Sequence, residues 1–179
     1  KGSNYYFYDL NLKTKFRLSP KDLLYVSGYF GRDVFTFKHS EDGFNVRIPW
    51  GNAVASMQYK HIFNDQWALN RAATFSDYNF SCESGQGGFE FKLLSGVLET
   101  GAKLDFTYQP SPRHNIKFGV DYKYHIFTPS SVSAKQDSTE FDTGEIQKIH
   151  AQTGAIYIMD DFDITDWFKM NVGLRYSIF

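Results

Sequence analysis

Between Ile116 and Ile126 every second residue is apolar. Ile116, Phe118, Val120, Tyr122, Tyr124 and Ile126 alternate with Lys117, Gly119, Asp121, Lys123 and His125. Successive strand side chains point to opposite faces, so a segment with this pattern is a strand with one greasy and one charged side. The same rule reads 6–18, where Tyr6, Tyr8, Leu10, Leu12, Thr14, Phe16 and Leu18 alternate with Phe7, Asp9, Asn11, Lys13, Lys15 and Arg17. It also reads 102–108 (Ala102, Leu104, Phe106, Tyr108 against Lys103, Asp105, Thr107) and 168–176 (Phe168, Met170, Val172, Leu174, Tyr176 against Lys169, Asn171, Gly173, Arg175). Blurrier strands are expected at roughly 23–38, 50–62, 67–80 and 149–160. Helical periodicity is weak throughout. About eight strands of ten or more residues result, where soluble sheets average five or six residues per strand.

The connections sort into two kinds that alternate. Short polar turns fall at Ser19-Pro20-Lys21-Asp22, Phe63-Asn64-Asp65-Gln66, Pro110-Ser111-Pro112-Arg113 and Asp163-Ile164-Thr165-Asp166, built from residues that fix or tolerate turn dihedrals. Long connections rich in Gly, Ser, Asp and Glu are expected near 39–49, 81–96 and 128–148. A meander with short turns at one end and long loops at the other is the transmembrane barrel pattern.

Composition narrows this further. Aromatic residues make up 18% of the 179 residues, yet mean hydropathy is −0.42, and no run of 18 apolar residues could cross a bilayer as a helix. Nineteen basic residues against 20 acidic ones leave no positive excess for a nucleic-acid partner. The single cysteine, Cys82, excludes a disulfide framework.

Alternation alone does not say which face is outside. A lipocalin-like barrel would hold the aromatics inside. Strand length favours lipid, since a tilted membrane strand needs nine to eleven residues. Aromatics also gather at strand ends. Tyr5, Tyr6, Tyr8, Phe35, Phe37, Trp50, Tyr78, Phe80, Tyr124 and Phe127 stand at the long-loop end, with Phe16, Phe63, Trp67, Tyr108, Phe162 and Trp167 at the other. They are expected to form two interface girdles. The other face, with Lys13, Lys15, Arg17, Lys103, Asp105, Lys117, Asp121, Lys123, Lys169 and Arg175, is then expected to line an aqueous lumen. Mixed signs there suit cross-strand ion pairing or contact with something inside, and a solvated wall is the simpler reading for any one residue.

Lys1-Gly2-Ser3 runs straight into Tyr5-Tyr6-Phe7-Tyr8 with no charged n-region and apolar h-region, as expected of a mature chain or of one whose start is missing. Four short turns against three long loops reverse the count of a barrel whose termini are both periplasmic, and Phe179 is out of phase with the lipid set. Residues 1–179 are therefore expected to be one all-β segment of about eight strands from a larger antiparallel transmembrane barrel.

The last hairpin carries a family resemblance. Tyr157-Ile158-Met159-Asp160, a short turn, and the alternating run into Gly173-Leu174-Arg175-Tyr176 resemble the mid-barrel hairpin of TonB-dependent outer-membrane receptors. Tyr29-Phe30-Gly31-Arg32-Asp33, Trp50-Gly51-Asn52 and Phe75-Ser76-Asp77-Tyr78 resemble Bacteroidetes-type members. The resemblance implies a barrel of about 22 strands, a lumenal plug and a periplasmic box gripped by TonB, neither of which is in this sequence. It further implies import of a scarce nutrient such as a siderophore, haem, vitamin, glycan or peptide, driven by the proton-motive force. Expected partners are outer-membrane lipid, TonB through the plug region, and a surface lipoprotein or companion chains. The expected location is the bacterial outer membrane.

No catalytic constellation, cofactor motif or metal-ligand spacing stands out among the five histidines or around Gly85, Gly87 and Gly88. Asp137, Glu140, Asp142 and Glu145 have the density of a calcium loop but no EF-hand spacing, which favours a solvated acidic loop. Phe44, Arg47 and Trp50, with Phe89 and Phe91, are candidate substrate contacts on external loops, although they could equally pack loop against loop. Two alternatives stay open: an outer-membrane scaffold or adhesin barrel, and a soluble ligand-binding barrel that would turn Phe118, Val120 and Tyr122 inward.

Overall fold

Every long stretch with a period of two becomes a strand. In the computed structural model, which describes residues 2–39, 43–136, 139–142 and 147–179, the strands are β1 (Gly2–Arg17), β2 (Asp22–His39), β3 (Phe44–Ile62), β4 (Trp67–Gln86), β5 (Phe89–Ser111), β6 (His114–Gln136), β7 (Thr139–Asp142), β8 (Ile149–Asp163) and β9 (Lys169–Ile178). They form one antiparallel meander in the order β1-β2-β3-β4-β5-β6-β8-β9, with β7 pairing the end of β6. No helix occurs among the described residues.

The four short turns lie where the polar clusters placed them. Asn64 shows why such residues are used: its side-chain oxygen accepts from the backbone N–H of both Gln66 and Trp67 at 2.9 Å, an Asx turn that frees β4 to start at once. Thr165 accepts from the Phe168 N–H in the same way at 3.0 Å.

The other end corrects the sequence reading. Residues 44–49, 81–96 and 128–136 are strand and tight turn rather than long loop, and 40–42 lie outside the described residues. β3 begins at Phe44, the β4–β5 hairpin turns on Gly87 and Gly88 alone, and β6 runs on to Gln136. Both tip glycines have positive φ, 54° and 83°, the conformation a two-residue hairpin turn needs. A composition rich in Gly, Ser and Glu reads as loop, but a ladder standing in water needs no apolar face, because backbone pairing holds it. Asp137 and Glu145 of the acidic quartet lie outside the described residues, and of Glu140 and Asp142 only the backbone, within β7, is described.

The register joins the alternating faces into two continuous surfaces. Across β4, β5, β6, β8 and β9 one row reads Arg71, Leu104, Val120, Ile156 and Tyr176. The adjacent row on the other face reads Ala72, Lys103, Asp121, Ala155 and Ser177. The charged face is the concave one. Val120 and Tyr122 remain 46% and 47% exposed, whereas the Asp121 side chain between them is only 19% exposed. Among the described residues only Val34 and Leu69, 1% and 5% exposed, form a buried apolar core. A single layer with so little core cannot repay its ordering entropy in water by burial within itself. Its apolar face needs another medium.

Two features pin the sheet. On the concave side Tyr157 lies flat across β6, between the Lys103 ammonium at 5.2 Å and the Arg175 guanidinium at 5.6 Å from its ring centre. It can do so because residue 119 has no side chain: a Cβ there would overlap the Leu104 carbonyl and the Tyr157 ring. On the apolar side, at the short-turn end, Trp67 stacks on Tyr108 at 4.2 Å and Phe106 on Phe118 at 5.3 Å.

Candidate functional site: the concave wall

All ten residues expected on one wall share the concave face, as their cross-strand partners show. On the short-turn side of the sheet they are largely neutralised in pairs. Lys117 reaches Asp161 at 2.8 Å, Arg175 reaches Asp121 at 3.2 Å, Lys103 reaches Asp105 at 3.1 Å and Lys169 reaches Asp163 at 2.7 Å. Glu99 accepts from Lys123 at 2.9 Å and faces His125 at 3.3 Å. Lys15 sits over the Tyr25 ring at 5.4 Å. Charges in such a ladder hold one another in fixed positions, so the wall offers fixed dipoles and paired ions rather than a field of one sign.

Further along the strands the same face changes character. Tyr5, Phe7, Phe35, Phe37, Trp50, Tyr78, Phe80 and Phe127 all fall on the concave parity. Tyr5 stacks on Trp50 at 6.2 Å and donates its hydroxyl to Asp33. The expected girdle at this end is therefore wrong for most of its members. Only Tyr6, Tyr8 and Tyr124 of the ten point to the apolar face; Tyr5, Phe35, Phe37, Trp50, Tyr78, Phe80 and Phe127 point the other way. Here both faces of β2 and β3 are apolar, as in Val34-Phe35 and Pro49-Trp50, and apolarity alone loses the phase. At the short-turn end, Phe16, Trp67, Tyr108 and Phe162 do share the apolar face.

The five candidate contacts are strand residues, not loop residues. Phe44 and Trp50 in β3, and Phe89 and Phe91 in β5, lie on the concave face. Arg47, three residues from Trp50, is on the opposite face, where it pairs with Glu83 at 3.5 Å, which also faces Lys92 at 3.7 Å. Arg47 is thus not part of one surface with the four aromatics, a consequence of strand parity that was readable in the sequence. Tyr5, Tyr78 and Phe127 share the concave parity of those four aromatics, which strand phase alone indicates. Among the described residues no three His, Cys, Asp or Glu side chains converge to hold a metal ion.

A one-layer sheet with an apolar convex face, a paired-ion concave face and an aromatic upper wall is a piece of a large membrane barrel. The model of the TonB-dependent receptor-like β-barrel family matches residues 1–179. The chain belongs to this family. Three solved structures share its fold. It aligns with the ferric yersiniabactin uptake receptor FyuA from Yersinia pestis at TM-score 0.68 and 12% identity, over 97% of this chain and 28% of that one. With the unliganded ferric citrate transporter FecA the values are 0.67 and 16%, over 98% and 29%. With BauA, the ferric preacinetobactin receptor from Acinetobacter baumannii, they are 0.64 and 11%, over 98% and 34%. No curated protein matches the chain. The chain thus spans about a third of each of these receptors, as a partial barrel. Receptors of this family are outer-membrane barrels of Gram-negative bacteria.

Proposed function

We propose that this chain is part of the barrel of a TonB-dependent importer in a bacterial outer membrane, which takes up a scarce nutrient at the expense of the proton-motive force. The observation that carries the reading is the band of apolar residues along one face of eight paired strands, opposite a concave face of paired ions, in a chain matched end to end by the receptor-barrel family. In this reading the convex face meets lipid and the ion-paired ladder lines the lumen. A tilted strand crosses the bilayer in nine to eleven residues, so β5 and β6, 23 residues each, stand well beyond the membrane on the external side. Their aromatic concave faces, with Trp50 and Tyr78, form the wall of an outer vestibule where substrate is first held. Uptake then follows when TonB, pulling on a plug, opens a path along the Lys103–Asp121–Arg175 wall. The substrate class is a ferric complex or another nutrient too large for passive pores.

The barrel contributes wall and vestibule, not bond-making chemistry. Growth of the deletion strain, with and without the complementing gene, on a panel of ferric complexes, haem, cobalamin, glycans and peptides tests this. At least one nutrient should require both the gene and TonB. Uptake that needs the gene but survives loss of TonB would overturn the coupling, and no growth phenotype on any nutrient would overturn the import reading.

A further inference from the structure

The convex face has a gap that the transport reading does not use. One row of residues crosses five strands there: Arg32, Gly51, Asn79, Gly96 and Thr128. The row below it reads Phe30, Ala53, Asp77, Leu98 and Ile126. The two glycines leave a floor of bare backbone between larger side chains, and a cavity of about 310 Å³ opens over it. Neither glycine can be replaced without movement: a Cβ on Gly51 would lie 2.9 Å from the Gly31 carbonyl oxygen, and one on Gly96 would lie 3.0 Å from Asn79 Oδ1. Those contacts, with Arg32 Cβ at 3.7 Å from the Gly51 position, put Arg32 and Asn79 on the cavity's own face.

The height of the cavity follows from the strand count. Asp77 stands ten residues along β4 from Trp67 of the short-turn girdle, the length that crosses a bilayer. The cavity therefore sits at the far rim of the apolar band. In the cavity's own row β1 presents Tyr8, whereas β3 to β5 present Gly51, Asn79 and Gly96 and no aromatic ring.

Its chemistry is two-sided. Phe30, Ala53 and Leu94 make the lower and side walls apolar. Asp77 accepts a hydrogen bond from Asn79 Nδ2 at 2.9 Å, which fixes two side-chain oxygens as acceptors. The Arg32 residue is exposed, and its guanidinium makes no ion pair or hydrogen bond among the described residues. A guanidinium at a lipid–water boundary matches a phosphate, the fixed oxygens match sugar hydroxyls, and the apolar walls match the root of an acyl chain.

We propose that this cavity is a binding site for a phosphorylated glycolipid of the outer leaflet. Arg32 holds the phosphate, Asp77 and Asn79 receive the sugar hydroxyls, and Phe30, Ala53 and Leu94 pack the first acyl carbons. A lipid seated there fills the gap that Gly51 and Gly96 leave in their row. The proposal rests on the outer-membrane placement given above.

Native mass spectrometry of the full-length protein in detergent, titrated with bisphosphorylated lipid A and separately with phosphatidylethanolamine, tests the proposal. Lipid A should be retained at least tenfold more tightly than phosphatidylethanolamine. Arg32→Glu, a change at an exposed side chain, should lower lipid A affinity at least tenfold, and Ala53→Trp should fill the cavity and do the same. Ala73→Trp, on the same face but two rows away from Asp77, should leave affinity unchanged. Equal binding of the two lipids, insensitivity to Arg32→Glu, or a second copy of the chain in place of lipid would overturn the site while leaving the membrane reading intact. A full-length protein soluble without detergent would instead refute the membrane reading.

Discussion

Met57 and Gln58 are neighbours on β3 that face opposite ways. Met57 lies between Val26 and Ala73 on the convex face and Gln58 between Tyr25 and Ala72 on the concave one. Met57 is 52% exposed in the isolated sheet, so arginine there meets no steric obstacle in the protein; what it meets is the medium. Near the bilayer midplane an arginine on a barrel's lipid face costs about 2–4 kcal/mol, or roughly thirty- to several-hundredfold in the folded-to-unfolded ratio at 1.4 kcal/mol per decade. The native face already shows the permitted exception: Arg71 stands one row nearer the short-turn rim, 5.8 Å from the Tyr59 ring centre, close enough to snorkel to the interface. Met57→Arg should therefore destabilise by about 2–4 kcal/mol and Gln58→Arg by less than about 1 kcal/mol, since it points into water. Urea unfolding of the full-length protein in phospholipid vesicles, followed by tryptophan fluorescence, reads both. A penalty for Gln58→Arg equal to or above that for Met57→Arg would refute the assignment of faces.

Other perturbations probe the packing. Gly119→Ala must push a methyl group into the Leu104 carbonyl and the Tyr157 ring, and should cost about 1–3 kcal/mol, visible as loss of the heat-modifiable folded band on electrophoresis. Trp67→Ala removes the stack on Tyr108 and the edge contact with Phe118, and should cost at least the 0.5–1.5 kcal/mol of the aromatic pair in the same vesicle titration. A double-mutant cycle on Asp121→Asn and Arg175→Gln should give a coupling no larger than about 1 kcal/mol that shrinks at 1 M salt, because the arginine of this pair is half-exposed. Coupling that persists in high salt would mean that the pair is sealed from water.

How much of this was legible in the sequence depends on how different the two faces are. Within β6, Lys117 to Lys123 oppose Phe118 to Tyr122, and the strand, its phase and its concave partners could all be read. Along the upper parts of β2 and β3, neighbours such as Val34 and Phe35, or Pro49 and Trp50, are both apolar, so composition could not tell a girdle from a vestibule. The hairpin arms at 81–96 resembled loops because strands standing in water are held by their backbone ladders rather than by burial. The convex cavity was beyond sequence reasoning altogether. Gly51, Asn79 and Gly96 are far apart in the chain and become neighbours only through register.

The central claim is that lipid lies against the convex face. Single cysteines placed in turn at 116–126 in a Cys82→Ala background, labelled with an environment-sensitive fluorophore after reconstitution in vesicles, test it most directly. Quenching by a lipid-bound nitroxide should peak at the even positions, Phe118, Val120, Tyr122 and Tyr124, and quenching by aqueous iodide at the odd ones. The reversed phase, or no alternation over the eleven positions, would contradict the account.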